Sequence, residues 1–223
     1  MTEANARPQI LVLAGTNGAG KSSIAGAWLR QNGGDYFNPD DATRRIMEEN
    51  DRLLLDTANS MAWKEGKRLL EEAITDRKNY AFETTLGGST ITRLLLKAAT
   101  EGLDVKIWYV GLDSPERHIQ RVEARVARGG HDIPEDMIRA RLESSRENLA
   151  KLIPVLATLK IYDNSIEADP ANGTPPQPRL LLRMQHGRIV EPGPEYLNEM
   201  PEWAKPLAAA AMKSHLTRGC ILE

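Results

Sequence analysis

Short apolar runs separated by amphipathic segments organise the chain. Residues 9–14 (QILVLA) form a nearly continuous apolar run that ends at Gly15, a pattern typical of a strand buried on both faces of a parallel sheet. Similar runs predict four more strands, at residues 35–37, 80–83, 105–112 and 159–162. Helical patterns separate most of them, and this alternation predicts an α/β fold with a mostly parallel central sheet flanked by helices.

Apolar residues recur at spacings of three and four between the predicted strands, most clearly over residues 53–74. The pattern predicts helices at residues 21–31, 53–74, 89–100, 115–128 and 134–152. Each helix also has a polar face, so we expect the helices to flank the sheet with their polar faces toward solvent.

The periodicity ends after Asn164, where residues 168–178 form a loop rich in proline. Residues 179–192 predict a β-hairpin that turns near His186-Gly187, and residues 201–215 predict a helix. We therefore predict a single domain over residues 1–223. Its core covers about 8–165, and the C-terminal hairpin and helix, about 176–223, form an appendage.

Composition narrows the class of protein. The chain has 223 residues, 41% of them hydrophobic, and its 29 basic and 31 acidic residues are mixed, so that no broad charge selects nucleic acid or membrane. The only cysteine, Cys220, suits a reducing compartment. The N-terminal segment lacks a secretory pattern, and no apolar run approaches the ~20 residues that span a bilayer. These features predict a cytoplasmic protein.

A glycine-rich segment connects the first predicted strand to the first predicted helix. It matches G-x-x-x-x-G-K-[ST] with Gly15, Thr16, Asn17, Gly18, Ala19, Gly20, Lys21 and Ser22. Backbone amides of such a loop bind phosphates, Lys21 is expected to bridge the β- and γ-phosphates, and the Ser22 hydroxyl is expected to bind Mg²⁺, with Ser23 next to it. The motif predicts a P-loop fold that binds ATP or GTP with Mg²⁺.

Carboxylates near two other strand ends suggest an acceptor side. Asp40 follows the predicted strand at 35–37, where it could orient and deprotonate a substrate hydroxyl. The alternative is that Asp40 or Asp41 caps a helix starting near Ala42.

Glu83 ends the predicted strand at 80–83 and Thr85 lies two residues beyond it, at the edge where parallel strands meet a ligand crevice. We expect the two side chains to share a face and to bind substrate hydroxyls. The alternatives are an indirect contact to Mg²⁺ for Glu83 and a helix cap for Thr85.

Arginines recur along a predicted lid at about residues 115–145. They are Arg117, Arg121, Arg125 and Arg128, then Arg139 and Arg141 after the GGHDIP loop. We expect Arg125 and Arg141 to contact transferring phosphates. The alternative is ion pairing with Glu123, Glu135 or Glu143. His131 is either a phosphate contact or an ordered loop residue.

Four segments together resemble the zeta-toxin family of P-loop kinases over about residues 10–164. They are the P-loop, NPDD at 38–41, FETT at 82–85 and RVEARVARGGHDIP at 121–134. The resemblance implies ATP-dependent phosphorylation of the 3′-hydroxyl of the amino sugar in UDP-N-acetylglucosamine, with a separate antitoxin as partner. It implies that Asp40 is the general base, that Glu83 and Thr85 contact substrate, and that lid arginines bind phosphate.

Other functions remain open at this point. They are a kinase of another small metabolite, a nucleic-acid end kinase and a non-kinase NTPase switch. A switch needs a metal-binding acid, for which Asp113 is the candidate, but Ser114-Pro115 favours a helix cap there. A nucleic-acid kinase needs an aromatic-lined groove, whereas Trp63, Trp108 and Tyr109 are predicted to be core residues.

Overall fold

The computed structural model describes residues 7–21, 36–166 and 178–219. The strands are β1 (Gln9–Ala14), β2 (Tyr80–Thr84), β3 (Asp104–Gly111), β4 (Thr158–Asp163), β5 (Arg179–Gln185) and β6 (Arg188–Glu191). The α-helices are α1 (Pro39–Glu49), α2 (Leu55–Thr75), α3 (Ser89–Thr100), α4 (Pro115–Val126), α5 (Glu135–Leu152) and α6 (Lys205–Gly219). The predicted helix at 21–31, with Ser22 and Ser23, most of the loop at 168–178, and Cys220 lie outside the described residues.

The strands form one sheet in the order β2-β1-β3-β4-β5-β6. The first four are parallel, and β5 and β6 are antiparallel to their neighbours. Of the predicted strand at 35–37, the described part contributes one parallel bridge, from Phe37 to Phe82 at the outer edge of β2. The predicted α/β fold with a mostly parallel sheet is confirmed.

The central strands carry buried apolar residues on both faces of the sheet, as parallel strands usually do. Buried residues of β1 and β3 join the main core with apolar side chains of α2, α3 and α5. A smaller group around Leu13 and Val110 packs on the other face, with Trp108 against it. Polar side chains at the carboxyl edge of the sheet are therefore held next to buried neighbours.

The C-terminal hairpin continues the central sheet instead of standing beside it. β5 pairs with β4, and the turn falls at His186 and Gly187, whose φ angles of 46° and 77° suit a two-residue hairpin. Trp203 and the buried face of α6 belong to the main hydrophobic core. The segment predicted as an appendage thus completes the core.

The start of α1 differs from the sequence-based alternative. The helix begins at Pro39, and the side chain of Asn38 caps it by accepting the backbone N–H of Asp40 at 2.9 Å. The interpretation that Asp40 or Asp41 caps a helix starting near Ala42 is therefore wrong. Both carboxylates lie in the first turn, without a capping role.

The aromatic residues divide into two groups. Tyr109 is buried, with its hydroxyl 3.1 Å from Ser145 Oγ, and Trp108 is partly buried. Trp63 is 47% exposed, so the prediction that it is a core residue is wrong. In the described part of the chain, no helix combines the length and apolar character needed to cross a membrane.

Replacing Gly111 with alanine tests the contact between β3 and the C-terminal segment. A methyl group at Gly111 would overlap the Trp203 ring, so Gly111→Ala should lower the free energy of unfolding by about 1–3 kcal/mol in urea titrations. Gly88→Ala is the matched control, because nothing lies within 4 Å of an added methyl group there. Equal losses in the two variants would contradict the close packing of Trp203.

Candidate active site

The glycine-rich loop lies where the order of strands reverses. From β1 the chain first passes to one side, through Phe37 and β2, and then crosses to β3 on the other side of β1. The carboxyl end of β1 therefore faces a crevice between diverging connections, which is where open α/β sheets bind ligands.

The glycines allow the loop to bend close to the protein behind it. Gly15, Gly18 and Gly20 have φ angles of 143°, 80° and 84°, which residues with side chains rarely adopt. A methyl group at Gly18 would come within 2.5 Å of the carbonyl oxygen of His118, and one at Gly15 would overlap the carbonyl of Val110. The loop shape thus depends on glycine and on its packing against β3 and α4.

Lys21 is held by a buried ion pair. Its Nζ lies 3.5 Å from Glu83 Oε1 and 3.4 Å from the carbonyl oxygen of Thr16, and both charged residues are buried. Glu83 therefore lies on the side of the P-loop. Thr85 lies beyond the end of β2, within a turn in which the Thr84 hydroxyl accepts the N–H of Leu86. It lines a cleft that Glu83 does not line.

This cleft has a volume of about 450 Å³. Its walls come from the start of α1, from α2, from the turn after β2, from the loop before α5 and from α5 itself. Four residues proposed from the sequence line it, Asp40, Thr85, His131 and Arg141, together with Asn17 of the P-loop. We call it the acceptor cleft, because it contains Asp40, the predicted base for an acceptor hydroxyl.

Two arginines of the predicted lid segment contact residues that line the acceptor cleft. Arg141 Nη1 donates to Asn17 Oδ1 at 2.9 Å, and burial lowers the pKa of Arg141 while the charge of Asp40 opposes that shift. Arg125 Nη1 lies 3.8 Å from Asp40 Oδ2, and Nη2 donates to the carbonyl oxygen of His131 at 3.1 Å. Positive charge is thereby concentrated around Asp40 and Asn17.

The other arginines of the segment have structural partners. Arg139 pairs with Glu135 at 2.7 Å and with Glu116 at 3.0 Å. Arg121 donates to the carbonyl oxygen of Asn164 at 2.8 Å. Ion pairing on neighbouring turns therefore describes Arg139, whereas Arg141 lines the cleft and Arg125 contacts Asp40, which lines it.

Asp113 also has a structural partner. It pairs with Arg117 at 2.8 Å, which lowers its pKa, and Ser114 caps α4 by accepting the N–H of Arg117. The predicted helix cap at Ser114 is confirmed, and this arrangement disfavours Asp113 as the metal-binding acid of a switch.

His118 supports the P-loop from behind, and we did not predict this role from the sequence. It is fully buried, and its Nδ1 donates to the carbonyl oxygen of Asn17 at 2.7 Å. Burial lowers its pKa to about 4, although the hydrogen bond to Asn17 acts in the opposite direction. In the sequence, His118 is one polar residue of an arginine-rich helix, without a signal that separates it from its neighbours.

Asn164 gives a second support that the sequence-based reasoning missed. Its side-chain amide donates to the carbonyl oxygen of Ala19 at 2.9 Å, and a methyl group at Gly20 would come within 2.5 Å of that nitrogen. One signal existed, because Asn164 directly follows an apolar strand of the parallel sheet and thus lies at its ligand-binding edge.

The sheet order, the glycine loop with its lysine, and the adjoining cleft define a P-loop fold of the kinase type. The family model described as Zeta toxin matches residues 1–169. The chain belongs to the zeta-toxin family. An uncharacterized protein of Haemophilus influenzae is 31% identical over 127 residues, which cover 57% of this chain and 87% of that protein.

Solved structures show the same fold. A chain of the AvrRxo1-ORF1:AvrRxo1-ORF2 complex superposes with a TM-score of 0.63 at 14% identity, and the match covers 95% of this chain and 76% of the other. A structure of that complex with ATP superposes with a TM-score of 0.62 at 15% identity, and the match covers 94% of this chain and 77% of the other. The PezAT toxin-antitoxin system of Streptococcus pneumoniae gives 0.50 at 17% identity, covering 73% and 70%.

Replacing His118 tests its buried neutral state through the pH dependence of stability. Its pKa is lower in the folded protein, so between pH 6.5 and about 4 the unfolded chain binds a proton that the folded chain does not. Stability present above pH 6.5 is therefore lost as the pH falls, by about 2 kcal/mol at pH 5.

Urea titrations at pH 7 and pH 5 should show this loss in the wild type and a smaller one in His118→Asn, which keeps a donor but does not titrate. His186→Asn is the control, because His186 lies in an exposed turn whose positive φ asparagine tolerates. An unchanged pH dependence in His118→Asn would refute the assignment.

Proposed function

We propose that this protein is a kinase that transfers the γ-phosphate of ATP to a hydroxyl group of a small molecule, with a nucleotide sugar such as UDP-N-acetylglucosamine as the acceptor. The observation that carries the proposal is that one cleft connects the P-loop to Asp40. Asn17 of the loop and Asp40 both line it, and Arg141 reaches from its wall to Asn17. A donor site and a candidate base are therefore adjacent.

The loop and Lys21 support binding of a nucleoside triphosphate on the donor side. The positive φ angles of the three glycines are those of a loop that turns its amides toward an anion, and Lys21 supplies a buried positive charge beside it. MgATP would supply the phosphoryl group, held by the loop amides and Lys21. Ser22, the proposed ligand of Mg²⁺, lies outside the described residues.

The acceptor side supplies a base and positive charge. The Asp40 carboxylate has no capping role, so it remains able to accept the proton of an acceptor hydroxyl. Arg125 lies 3.8 Å from Asp40 and Arg141 lies beside Asn17, which suits stabilisation of negative charge between them. Thr85 and His131 line the same cleft and would position the acceptor.

Family membership supports the nucleotide sugar and a partner protein. The expectation that UDP-N-acetylglucosamine is the phosphate acceptor comes from the resemblance to zeta toxins. A separate antitoxin is part of the same proposal, because the similar structures are described as the AvrRxo1-ORF1:AvrRxo1-ORF2 complex and as a toxin-antitoxin system.

Replacing Asp40 tests the base. Asp40→Asn should lower kcat for phosphate transfer to UDP-N-acetylglucosamine by about 10²–10⁴-fold, because the amide cannot accept the hydroxyl proton. Asp41→Asn is a matched control, since Asp41 pairs with Arg44 and does not line the cleft. Transfer is measured from the mass of the phosphorylated product. An unchanged kcat in Asp40→Asn would exclude Asp40 as the base.

Replacing Lys21 tests the donor site separately. Saturating ATP with Mg²⁺ should raise the Tm of the wild type, because a ligand at 100 times its Kd adds about 2.7 kcal/mol of stability. The shift should disappear in Lys21→Met and persist in Lys67→Met, which alters a surface ion pair with Glu71. The same titration with GTP measures the nucleotide preference. A full ATP shift in Lys21→Met would contradict the assignment of the P-loop.

A further inference from the structure

The exposed Trp63 has a specific location. Tryptophan is large and mostly apolar, and burying it normally stabilises a protein, yet 47% of its surface is exposed. Trp63 lines the acceptor cleft, the cleft that also contains Asp40. An aromatic ring left accessible inside a cleft is available to a ligand.

Trp63 belongs to a row of side chains on one helix. Asp56, Asn59 and Trp63 of α2 all line the acceptor cleft, and their spacings of three and four residues place them on one face of the helix. The neighbouring face, which includes Ala58 and Ala62, is buried in the protein. We call Asp56, Asn59 and Trp63 the α2 stripe.

The α2 stripe is connected to the region of Asp40. Thr43, one turn after Asp40 on α1, donates its hydroxyl to Asn59 Oδ1 at 3.1 Å. This bond uses the amide oxygen of Asn59, so the NH₂ group remains able to donate to a ligand. One helical turn on α1, this hydrogen bond and one helical turn on α2 thus connect Asp40 to Trp63.

We infer that the α2 stripe binds the flat ring of a nucleobase in the acceptor, while the acceptor hydroxyl lies at Asp40. Trp63 provides a surface on which the ring stacks, and Asn59 and Asp56 provide a donor and an acceptor for its polar edge. This inference rests on the proposed kinase function and names the residues that distinguish a nucleotide sugar from a simple sugar.

The charges of the acceptor cleft and its wall at α5 support placing the base at the α2 stripe. Asp56 and Asp132 are exposed carboxylates of the cleft, which repel phosphate but accept N–H groups of a base. The phosphates of the acceptor therefore belong nearer Arg141. Met137 of α5 lines the cleft and is 41% exposed, and its flexible thioether suits contact with an aromatic ring.

Binding measurements can test the stripe independently of catalysis. The donor site is first filled with Mg²⁺ and a non-hydrolysable ATP analogue. Affinities are then measured by calorimetry for ribose 5-phosphate, UDP-N-acetylglucosamine and the diphosphates of adenosine, guanosine and cytidine. The variants are Trp63→Ala, Trp63→Phe and the control Met61→Ala. Met61 lies on the same helix, is 46% exposed and does not line the cleft.

We expect at least one compound with a base to bind the wild type ten or more times as tightly as ribose 5-phosphate. Trp63→Ala should lower the affinity for that compound by about 5–100-fold. The affinities for ribose 5-phosphate and the ATP analogue should be unchanged. Trp63→Phe should retain most of the preference, and Met61→Ala all of it. A wild type without preference for a base, or a preference that survives in Trp63→Ala, would overturn the inference.

The outcomes separate this inference from the kinase proposal. A preference for a base that depends on Trp63, without phosphate transfer to any acceptor, would support the ring site and refute the kinase. Phosphate transfer with an unchanged preference in Trp63→Ala would support the kinase and refute the ring site. Thermal unfolding of each variant confirms that it is folded.

Discussion

The site depends on close packing between the glycine loop and the protein behind it. Gly18 approaches the backbone of His118, Gly20 approaches the amide of Asn164, and each of these two residues also forms a hydrogen bond with a loop carbonyl. These hydrogen bonds fix the carbonyl groups of the loop and therefore the planes of its peptide bonds. The N–H group on the other side of each peptide bond then keeps a fixed direction. A phosphate-binding loop therefore requires β4 and α4 as much as its own sequence.

The same packing explains why His118 is neutral. A protonated imidazole in this place would be buried near Lys21 and Arg121, and desolvation together with their charges disfavours it. Lys21 itself stays buried because Glu83 lies 3.5 Å away. Removing one partner of such a pair would leave an uncompensated buried charge, so each of the two residues requires the other.

The parts of the site that were predictable are those encoded by contiguous residues. The P-loop, the strands and the cap at Ser114 follow from local patterns. The cap at Asn38 was also readable, since an asparagine before a proline and two acidic residues is a helix-start pattern, but the alternative that we considered placed the cap at the aspartates. The burial of His118 and the exposure of Trp63 were not predictable, because tertiary contacts decide both.

This contrast follows from how the two halves of the site are built. The donor half is one loop at the end of one strand, whose φ angles already require its glycines. The acceptor half brings together α1, α2, the turn after β2 and α5, so that Asn59 meets Thr43 and Arg141 meets Asn17 across large separations in sequence. Local patterns predict the chemistry of phosphate binding, whereas the shape of the cleft proposed to bind an acceptor exists only after folding.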